Sequence, residues 1–480
     1  MTAVFDIESI ILDASAAANL HRQLYDQIRR LIQSRALASG TALPSTRVLA
    51  GDLKIGRNTV IAAYDQLALE GFVELRKGAP PLVVDLPDRR PAAMAPESRG
   101  GRLSVRGQLL GAQRYHHGDP RHLVFHPGMP DPDNFPFNTW SKLLARRAKL
   151  ARNDLFGAYD VEGYPPLREA LARYLTVSRG VNCTAQQIVV TNGAQSAFDL
   201  LARLLIDPGD TVWMEEPGYY GASAAFRSAG AKLEPLRVGP EGWTLTPPAP
   251  PPRLIFVTPS CHHPLGVTMP MEQRLNLIRF AEQWNAWIVE DDYDSEYRFQ
   301  GQPIPALQGL DDSSRVVFVG TFAKTLFPAM RLGFMVVPPE IGSRMTAALS
   351  ATGHFAPLLT QAALADFMAE GHLTRHLRRM RRLYAQRRQY FIESCEKHLK
   401  DWLTLRPTGS GIQIVGYLNA GLDERDVVMR AHEVGISLQP LSIHYQHGNG
   451  KTGLVMGFAS SDERTTRKGM LALRQIFASR

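Results

Sequence analysis

From Leu20 the apolar residues Leu24, Ile28, Leu31 and Ile32 recur at helical spacing, with Arg22, Gln23, Arg29 and Arg30 between them. That period predicts an amphipathic helix. Gly40 and Pro44 interrupt it, and Ser45 then offers a cap to a short helix carrying Val48, Leu49 and Leu53. Lys54-Ile55-Gly56 reads as a tight turn. Arg57-Asn58-Thr59 opens another helix with Val60, Ala63, Tyr64 and Leu67 facing inward. Gly71–Leu75, Arg76-Lys77-Gly78 and Leu82-Val83-Val84 then predict a small hairpin. The order is helix, helix–turn–helix, wing.

The pattern lapses from Pro87 to Gly107, where proline, Gly100-Gly101 and five arginines (Arg89, Arg90, Arg99, Arg102, Arg106) replace any apolar period. A semi-flexible, solvated tether is expected there, with the next domain starting near Tyr115 to Phe125. Beyond it, strand-like runs alternate with helical patterns. They are Gln187–Thr191, a helix over Ala197–Ile206, Thr211–Glu215, a helix near Ala222–Ala229, Leu254–Thr258, a helix over Met271–Trp284, Ala286–Asp291 and Val316–Gly320. The alternation predicts an α/β domain on a largely parallel sheet, with ligands at the strand C-termini. Helices dominate from Ala347 to Lys400. A smaller C-terminal α+β unit should follow, with strands near Gly411–Tyr417 and Gly453–Phe458. Pro247–Pro252 marks a loop.

Composition narrows the class. With 480 residues, 44% hydrophobic and 21% charged, the chain is expected to be globular with two or three cores. The formal charge of +8 permits nucleic-acid binding without requiring it. Cys183, Cys261 and Cys395 are too scattered for a disulfide framework or a zinc cluster. Residues 1–20 lack the features of a signal peptide, and Asp6, Glu8, Asp13 and Asn19 interrupt the run Ala3–Leu20. A cytoplasmic protein with no membrane partner is expected.

The chemistry gathers at strand ends. The run Val316–Gly320 delivers Lys324 past Thr321 and Phe322, with Arg331 seven residues on. A desolvated amine suits Schiff-base chemistry, and a hydroxyl with a fixed cation suits a phosphate. After Val189-Val190-Thr191, the sequence Asn192-Gly193-Ala194-Gln195 opens a helix whose free amides can bind that phosphate. Tyr219 follows the strand ending at Glu215 and can stack on a ring. Asp291 follows Ile288-Val289-Glu290 and can hold a pyridine nitrogen protonated, while the nearby Tyr293 phenol can donate to a ring oxygen.

Residues 15–85 resemble the GntR-type winged helix–turn–helix through LPSTR, GRNTV, AYDQL and EGFVE. That resemblance implies a double-stranded DNA operator as partner. Arg57 and Asn58 would read base edges, with Arg47, Thr59 and the Lys77–Gly78 wing tip on phosphates. Gly56 stands where the family usually has serine, and Ala79-Pro80-Pro81 replaces a more flexible wing tip. Residues 120–480 resemble the fold-type I aminotransferases through the lysine stretch, EGYPPLREAL, DPGD and the strand-end residues. Together the two resemble a MocR-type transcriptional regulator.

The resemblance implies pyridoxal 5'-phosphate as cofactor. Lys324 would form its Schiff base, Asp291 would pair with the pyridine nitrogen, Tyr293 with the 3-hydroxyl, and Tyr219 would stack. Ala194, Gln195, Thr321 and Arg331 would hold the phosphate. It also implies a head-to-tail homodimer that senses an amine, an amino acid or the cofactor itself through an aldimine at Lys324. The expected limits are 1–85 for the DNA-binding domain, 86–118 for the linker and 119–480 for the effector domain.

Some positions depart from the family. In TPSCHHPLG, Cys261, His262, His263 and Leu265 occupy the loop nearing the 3-hydroxyl side of the ring. His263 becomes a candidate contact to cofactor or ligand, and the two imidazoles could titrate near neutrality. Three consecutive ligands cannot converge well on one ion, so no metal is expected. Ala158 and Tyr159 stand where the family has a tyrosine reaching a neighbouring subunit's phosphate. Gly453–Phe458 offers no arginine for a substrate carboxylate; Lys451 and Arg464 merely lie near it in sequence. This counts against efficient transamination and favours a regulator without a catalytic residue set. A working aminotransferase with an appended DNA-binding module is the alternative, and a degenerate scaffold that binds only DNA is a third reading.

Overall fold

The computed structural model describes residues 10–13, 16, 18–76, 78–85, 102–112, 124–150, 155, 157, 160–246, 250–302, 304–407, 409–419, 421–448 and 450–479. The chain divides into two compact units, Met1–Arg102 and Leu103–Arg480.

The first unit holds α1 (Leu20–Gln33), α2 (Thr46–Asp52), α3 (Arg57–Leu69) and a hairpin of β1 (Val73–Glu74) and β2 (Leu82–Val83). Val73 pairs with Val83 and Glu74 with Leu82. Leu24, Ile28 and Ile32 of α1 pack on Val60, Ala63, Tyr64 and Leu67 of α3, as the helical period requires. The Ser45 hydroxyl accepts from the Val48 amide at 3.3 Å and starts α2. The Tyr64 hydroxyl donates to the Pro44 carbonyl at 2.9 Å and fastens α3 to the turn before α2. Val48 faces solvent. Successive helical residues lie about 100° apart, and a one-sided core under so short a helix takes Leu49 and Ala50 instead. Lys77 lies outside the described residues.

The second unit begins with α4 (Val105–Ala112). Part of the expected tether is therefore helical, started by Ser104, whose hydroxyl accepts from the Gly107 amide at 3.0 Å. There follow α5 (Phe137–Leu150), α6 (Pro165–Arg179), β3 (Ile188–Thr191), α7 (Ala194–Leu205), β4 (Thr211–Glu216), α8 (Tyr220–Ser228), β5 (Lys232–Gly239) and β6 (Gly242–Trp243). Next come β7 (Leu254–Val257), α9 (Met271–Gln283), β8 (Trp287–Asp292), β9 (Val316–Thr321) and β10 (Gly333–Val336). These strands form one sheet in the order β3-β10-β9-β8-β7-β4-β5-β6. It is parallel from β9 through β5; β10 is antiparallel to both its neighbours, as β6 is to β5.

The strand sequences read as continuous apolar runs because both faces are covered. On one face Val212, Met214, Leu254, Phe256, Val317 and Val319 pack with α7 and α8. On the other, Trp213, Ile255, Val257 and Ile288 pack with Leu277 and Ile278 of α9. Helices α10 (Pro339–Thr352), α11 (Leu358–Ala369) and α12 (His372–Leu399) lead to a four-stranded antiparallel sheet. Its strands are β11 (Leu403–Arg406), β12 (Gln413–Leu418), β13 (Gln439–Pro440) and β14 (Gly453–Gly457), with α13 (Glu424–Glu433) and α14 (Glu463–Ala478) beside them. Among the described residues no helix is long and apolar enough to cross a membrane.

Candidate functional site

Because β9, β8, β7 and β4 are parallel and β10 reverses twice between β9 and β3, the C-terminal ends of β3, β9, β8, β7 and β4 all open on one edge of the sheet. Lys324 sits there, half-buried in the turn after β9, with Nζ donating to the Gly128 carbonyl at 2.7 Å. Gly128 has φ +63°, and a Cβ on it would lie 2.5 Å from Nζ, so only glycine leaves the amine its seat. Burial pulls the Lys324 pKa below that of an ordinary lysine, while the Asp294 and Asp291 charges oppose the shift.

Asp291, next to the last residue of β8, is only 5% exposed, and its Oδ1 is buried with no hydrogen-bond partner among the described residues. Burial pushes its pKa well above the carboxylate range; Asp292 and Glu215 add to this and Lys324 opposes it. Such a group wants a cation or a proton. Beyond it, the His263 ring packs edge-on against Tyr219 at 5.4 Å, Tyr293 at 5.7 Å and His444 at 4.9 Å. Gln413 Nε2 donates to His263 Nδ1 at 3.3 Å.

Near-neutral titration of the imidazoles is not borne out. Burial takes His262 down to about 3 and His444 to about 4. It also holds His263 well below its ordinary value, with His444 and Lys324 adding. All three are neutral at pH 7. Glu215, which accepts from Trp243 Nε1 at 2.7 Å and from the Thr258 amide and hydroxyl at 2.9 and 2.6 Å, is pushed up to about 8 by burial.

A second cluster lies at the β3 and β9 ends, where Thr191, Gly333 and Thr321 stand side by side in register. Gly193, at φ +82°, precedes Ala194, the first residue of α7. A Cβ on Gly193 would sit 3.7 Å from Arg331 Cζ, so the exposed guanidinium lies against the helix start. Arg331 Nη2 donates to the Asn192 carbonyl at 3.2 Å, and Thr321 Oγ1 accepts from the Ala323 amide at 3.2 Å. Gln195 Nε2 donates to the Gly221 carbonyl at 2.8 Å, leaving Oε1 buried and without a partner among the described residues. An amine, an orphaned carboxylate and a cationic helix start thus share one edge.

Gly128, Asp294, Gln413 and His444 were not singled out from sequence. Asp294 accepts from the Ile412 amide at 2.8 Å through Oδ2, while its Oδ1 is buried without a described partner. The signal for it was the acid-rich run Asp291-Asp292-Tyr293-Asp294. Strand β14 is buried and apolar throughout; Lys451 Nζ lies 5.2 Å over the Tyr417 ring, and Arg464 is exposed on α14. Ala158 and Tyr159 fall outside the described residues.

In the first unit Arg47, Arg57 and Asn58 are exposed and Thr59 is half-buried. Arg57 Nε donates to Thr46 Oγ1 at 3.3 Å, which draws it toward the start of α2. Gly78 turns at φ +79°, exposed on the hairpin.

Residues 20–83 match the gntR family of bacterial regulatory proteins, and residues 129–442 match aminotransferase class I and II. A DNA-binding head of the one kind on a body of the other defines a class of transcriptional regulator. The chain belongs to its MocR-type family. It is 48% identical to the probable rhizopine catabolism regulatory protein MocR of Rhizobium meliloti, over 98% of this chain and 96% of that protein. It is 32% identical to the pyridoxine biosynthesis transcriptional regulator PdxR of Corynebacterium glutamicum, over 95% and 96%. Among solved structures, kynurenine aminotransferase from Pyrococcus horikoshii, in complex with PMP, superposes with a TM-score of 0.68. Its sequence identity is 26%, over 79% of this chain and 95% of that one.

Proposed function

We propose that the protein binds pyridoxal 5'-phosphate at Lys324 and regulates transcription in response to an amine, an amino acid or the cofactor itself. The observation that carries this reading is the Oδ1 of Asp291, buried without a partner among the described residues, at the strand end that also feels the Lys324 charge. The donor set fits the group. Asp291 would hold the pyridine nitrogen, Tyr293 and His263 the 3-hydroxyl side, and Tyr219 the ring face. The Ala194 and Gln195 helix start, with Thr321 and Arg331, would hold the phosphate. When bound, pyridoxal phosphate supplies an aldehyde that exchanges amines and a ring that withdraws electrons.

The chain's own part is to desolvate and orient. Burial leaves a larger neutral fraction of the Lys324 amine, the form that can be exchanged, and Gly128 O fixes its direction. Asp294 and Asp291 receive the positive charge whenever the amine is protonated. Any change in the protonation of Lys324 would change the charge facing Asp294. That residue accepts from the Ile412 amide just before β12, so the change would reach the smaller sheet. We further propose limits of 1–85, 86–118 and 119–480 for head, tether and body, a head-to-tail homodimer, and base contacts by Arg57 and Asn58 with phosphate contacts by Arg47, Thr59, Lys77 and Gly78. Relatives named for rhizopine catabolism and for pyridoxine biosynthesis support a regulator of small-molecule metabolism.

The test is a titration of the purified chain with pyridoxal phosphate, followed by a panel of amines and amino acids, read by visible absorption and by DNA affinity. Saturable uptake near one per chain, a spectral change with one ligand class and a parallel change in DNA affinity are expected. Asp291→Ala should weaken uptake by roughly tenfold to a hundredfold, the scale of a charge-assisted hydrogen bond. No saturable uptake would sink the sensing mechanism, and steady release of keto acid would favour the aminotransferase.

Gly333 provides a separate check on the phosphate cradle. A Cβ there would meet Gly193 C at 2.8 Å and Ala194 N at 2.9 Å, both backbone atoms. Gly333→Ala should cost about 1–3 kcal/mol of stability and weaken cofactor uptake by spoiling the helix start. Gly342→Ala, with open space around it in α10, should leave the melting temperature unchanged or raise it. Equal Tm values for the two variants would contradict the assignment.

A further inference from the structure

A cavity of about 170 Å³ is lined by residues from the end of α6, the loops after β7 and β8, α9 and α12. Lys324, Asp291 and Tyr293 are not among its lining residues. Four guanidinium groups reach its wall: Arg179, Arg274, Arg298 and Arg381. Arg179 is the one with a carboxylate partner among the described residues, Asp292 at 2.7 Å. Arg274 is fully buried, and its three nitrogens donate to the Met269, Pro305 and Pro259 carbonyls, none of which carries a charge. Arg298 reaches Thr268 Oγ1 at 3.3 Å, while its Nε is buried without a partner among the described residues. Arg381 is exposed at the rim and donates through Nε to the Glu296 carbonyl at 2.6 Å.

The carboxylate on the wall is Glu296, which accepts from Tyr174 Oη at 3.1 Å. Ser295 adds a buried hydroxyl without a described partner. Even with Glu296 on the wall and Asp292 and Glu290 behind it all ionised, the four guanidinium groups outnumber the carboxylates. The guanidiniums feel one another: burial first, then Arg179 and Arg298, lower the pKa of Arg274, against the opposing charges of Glu290 and Asp292. Crowded cations in a recess are costly until an anion joins them, and guanidinium forks match the geometry of carboxylate and phosphate oxygens.

We propose that this cavity is a second ligand site, which takes a small dianion bearing phosphate or carboxylate groups, with Arg298 and Arg381 as its principal contacts. It is placed to influence the amine site. Ser295, Glu296 and Arg298 continue the segment that presents Asp291 and Tyr293, and Arg179 holds Asp292 between them. Occupancy here would tighten that segment, which gives the regulator a second metabolic input.

The test is isothermal titration of the full chain, loaded with one equivalent of pyridoxal phosphate, with inorganic phosphate and with succinate at ionic strength fixed by chloride. One saturable site per chain is expected, and the tighter of the two anions identifies the source. Arg381→Met, at an exposed position where folding is not at risk, and Arg298→Met should each weaken binding by roughly tenfold or more. Arg331→Met, titrated without cofactor, removes the cofactor cradle's cation and should still show this one saturable site with its affinity within twofold. That same variant without cofactor keeps the test valid if the chain takes up no pyridoxal phosphate. Absence of saturation with both anions, indifference to Arg298→Met and Arg381→Met, or loss on Arg331→Met would overturn the proposal.

Discussion

Lys324→Ala should give a colourless protein that still folds and still binds DNA. The side chain is half-buried, makes one hydrogen bond to Gly128 O and carries its charge against a desolvation cost. Its removal should therefore change stability by no more than about 1 kcal/mol. The cofactor pocket would lose little else. The orphaned Asp291 carboxylate and the Arg331 guanidinium against the α7 start remain, so pyridoxal phosphate should still be drawn in reversibly, through its ring nitrogen and phosphate. The visible band that depends on a covalent bond to Nζ should vanish, and borohydride should no longer fix the cofactor to the chain. The checks are absorption spectra before and after desalting and the intact mass after reduction. A Lys324→Ala protein that keeps the band through desalting, or gains the reduced-cofactor mass, would move the covalent site to another amine. The response to ligand should go with the band, while DNA affinity without ligand stays at the wild-type value.

What could be read in the chain, and what could not, follows the range over which each signal acts. The α3 helix was legible because Val60, Ala63, Tyr64 and Leu67 repeat within one element and bury one face. The placing of Asp291 and Lys324 at one sheet edge was legible because each follows an apolar run, and parallel strands bring such ends together. Strand β10 was not; four buried residues, Gly333 to Val336, are too few to show a period, and their antiparallel insertion is decided by pairing with both β3 and β9. Gly128 and Gln413 come to the amine site from segments far from Lys324 in the chain, and nothing local marks them for it; Asp294 had only the acid-rich run around it. The two histidines in the loop after β7 looked like neutral-pH switches. Only their burial reveals that they stay uncharged at pH 7. The missing arginine in β14 was visible at once, because it is a statement about one strand.

At the other end of the chain, the variant Arg57→Ala, Asn58→Ala should lose sequence discrimination while keeping its fold. Both side chains are exposed at the first turn of α3, and the core beneath them begins only at Val60. Their removal should therefore leave the melting temperature within a degree or two of wild type, as expected of surface substitutions. Val60→Ala, by contrast, cuts into that core and should cost about 2 kcal/mol. Each side chain that reads a base edge contributes about 1–3 kcal/mol of discrimination. The pair should thus cost on the order of a hundredfold to a thousandfold in affinity for a duplex enriched from random sequence by the wild-type chain. Affinity for random duplex rests on phosphate contacts and should fall far less, apart from a loss of about one unit in the salt slope for each basic group that meets the backbone. Arg47→Ala, on α2, should show the opposite pattern, with weaker binding to every duplex, a shallower salt slope and discrimination intact. Fluorescence anisotropy at two salt concentrations separates the two outcomes. If the Arg57, Asn58 variant still prefers the enriched duplex as strongly as wild type does, the start of α3 is not the part that reads the groove.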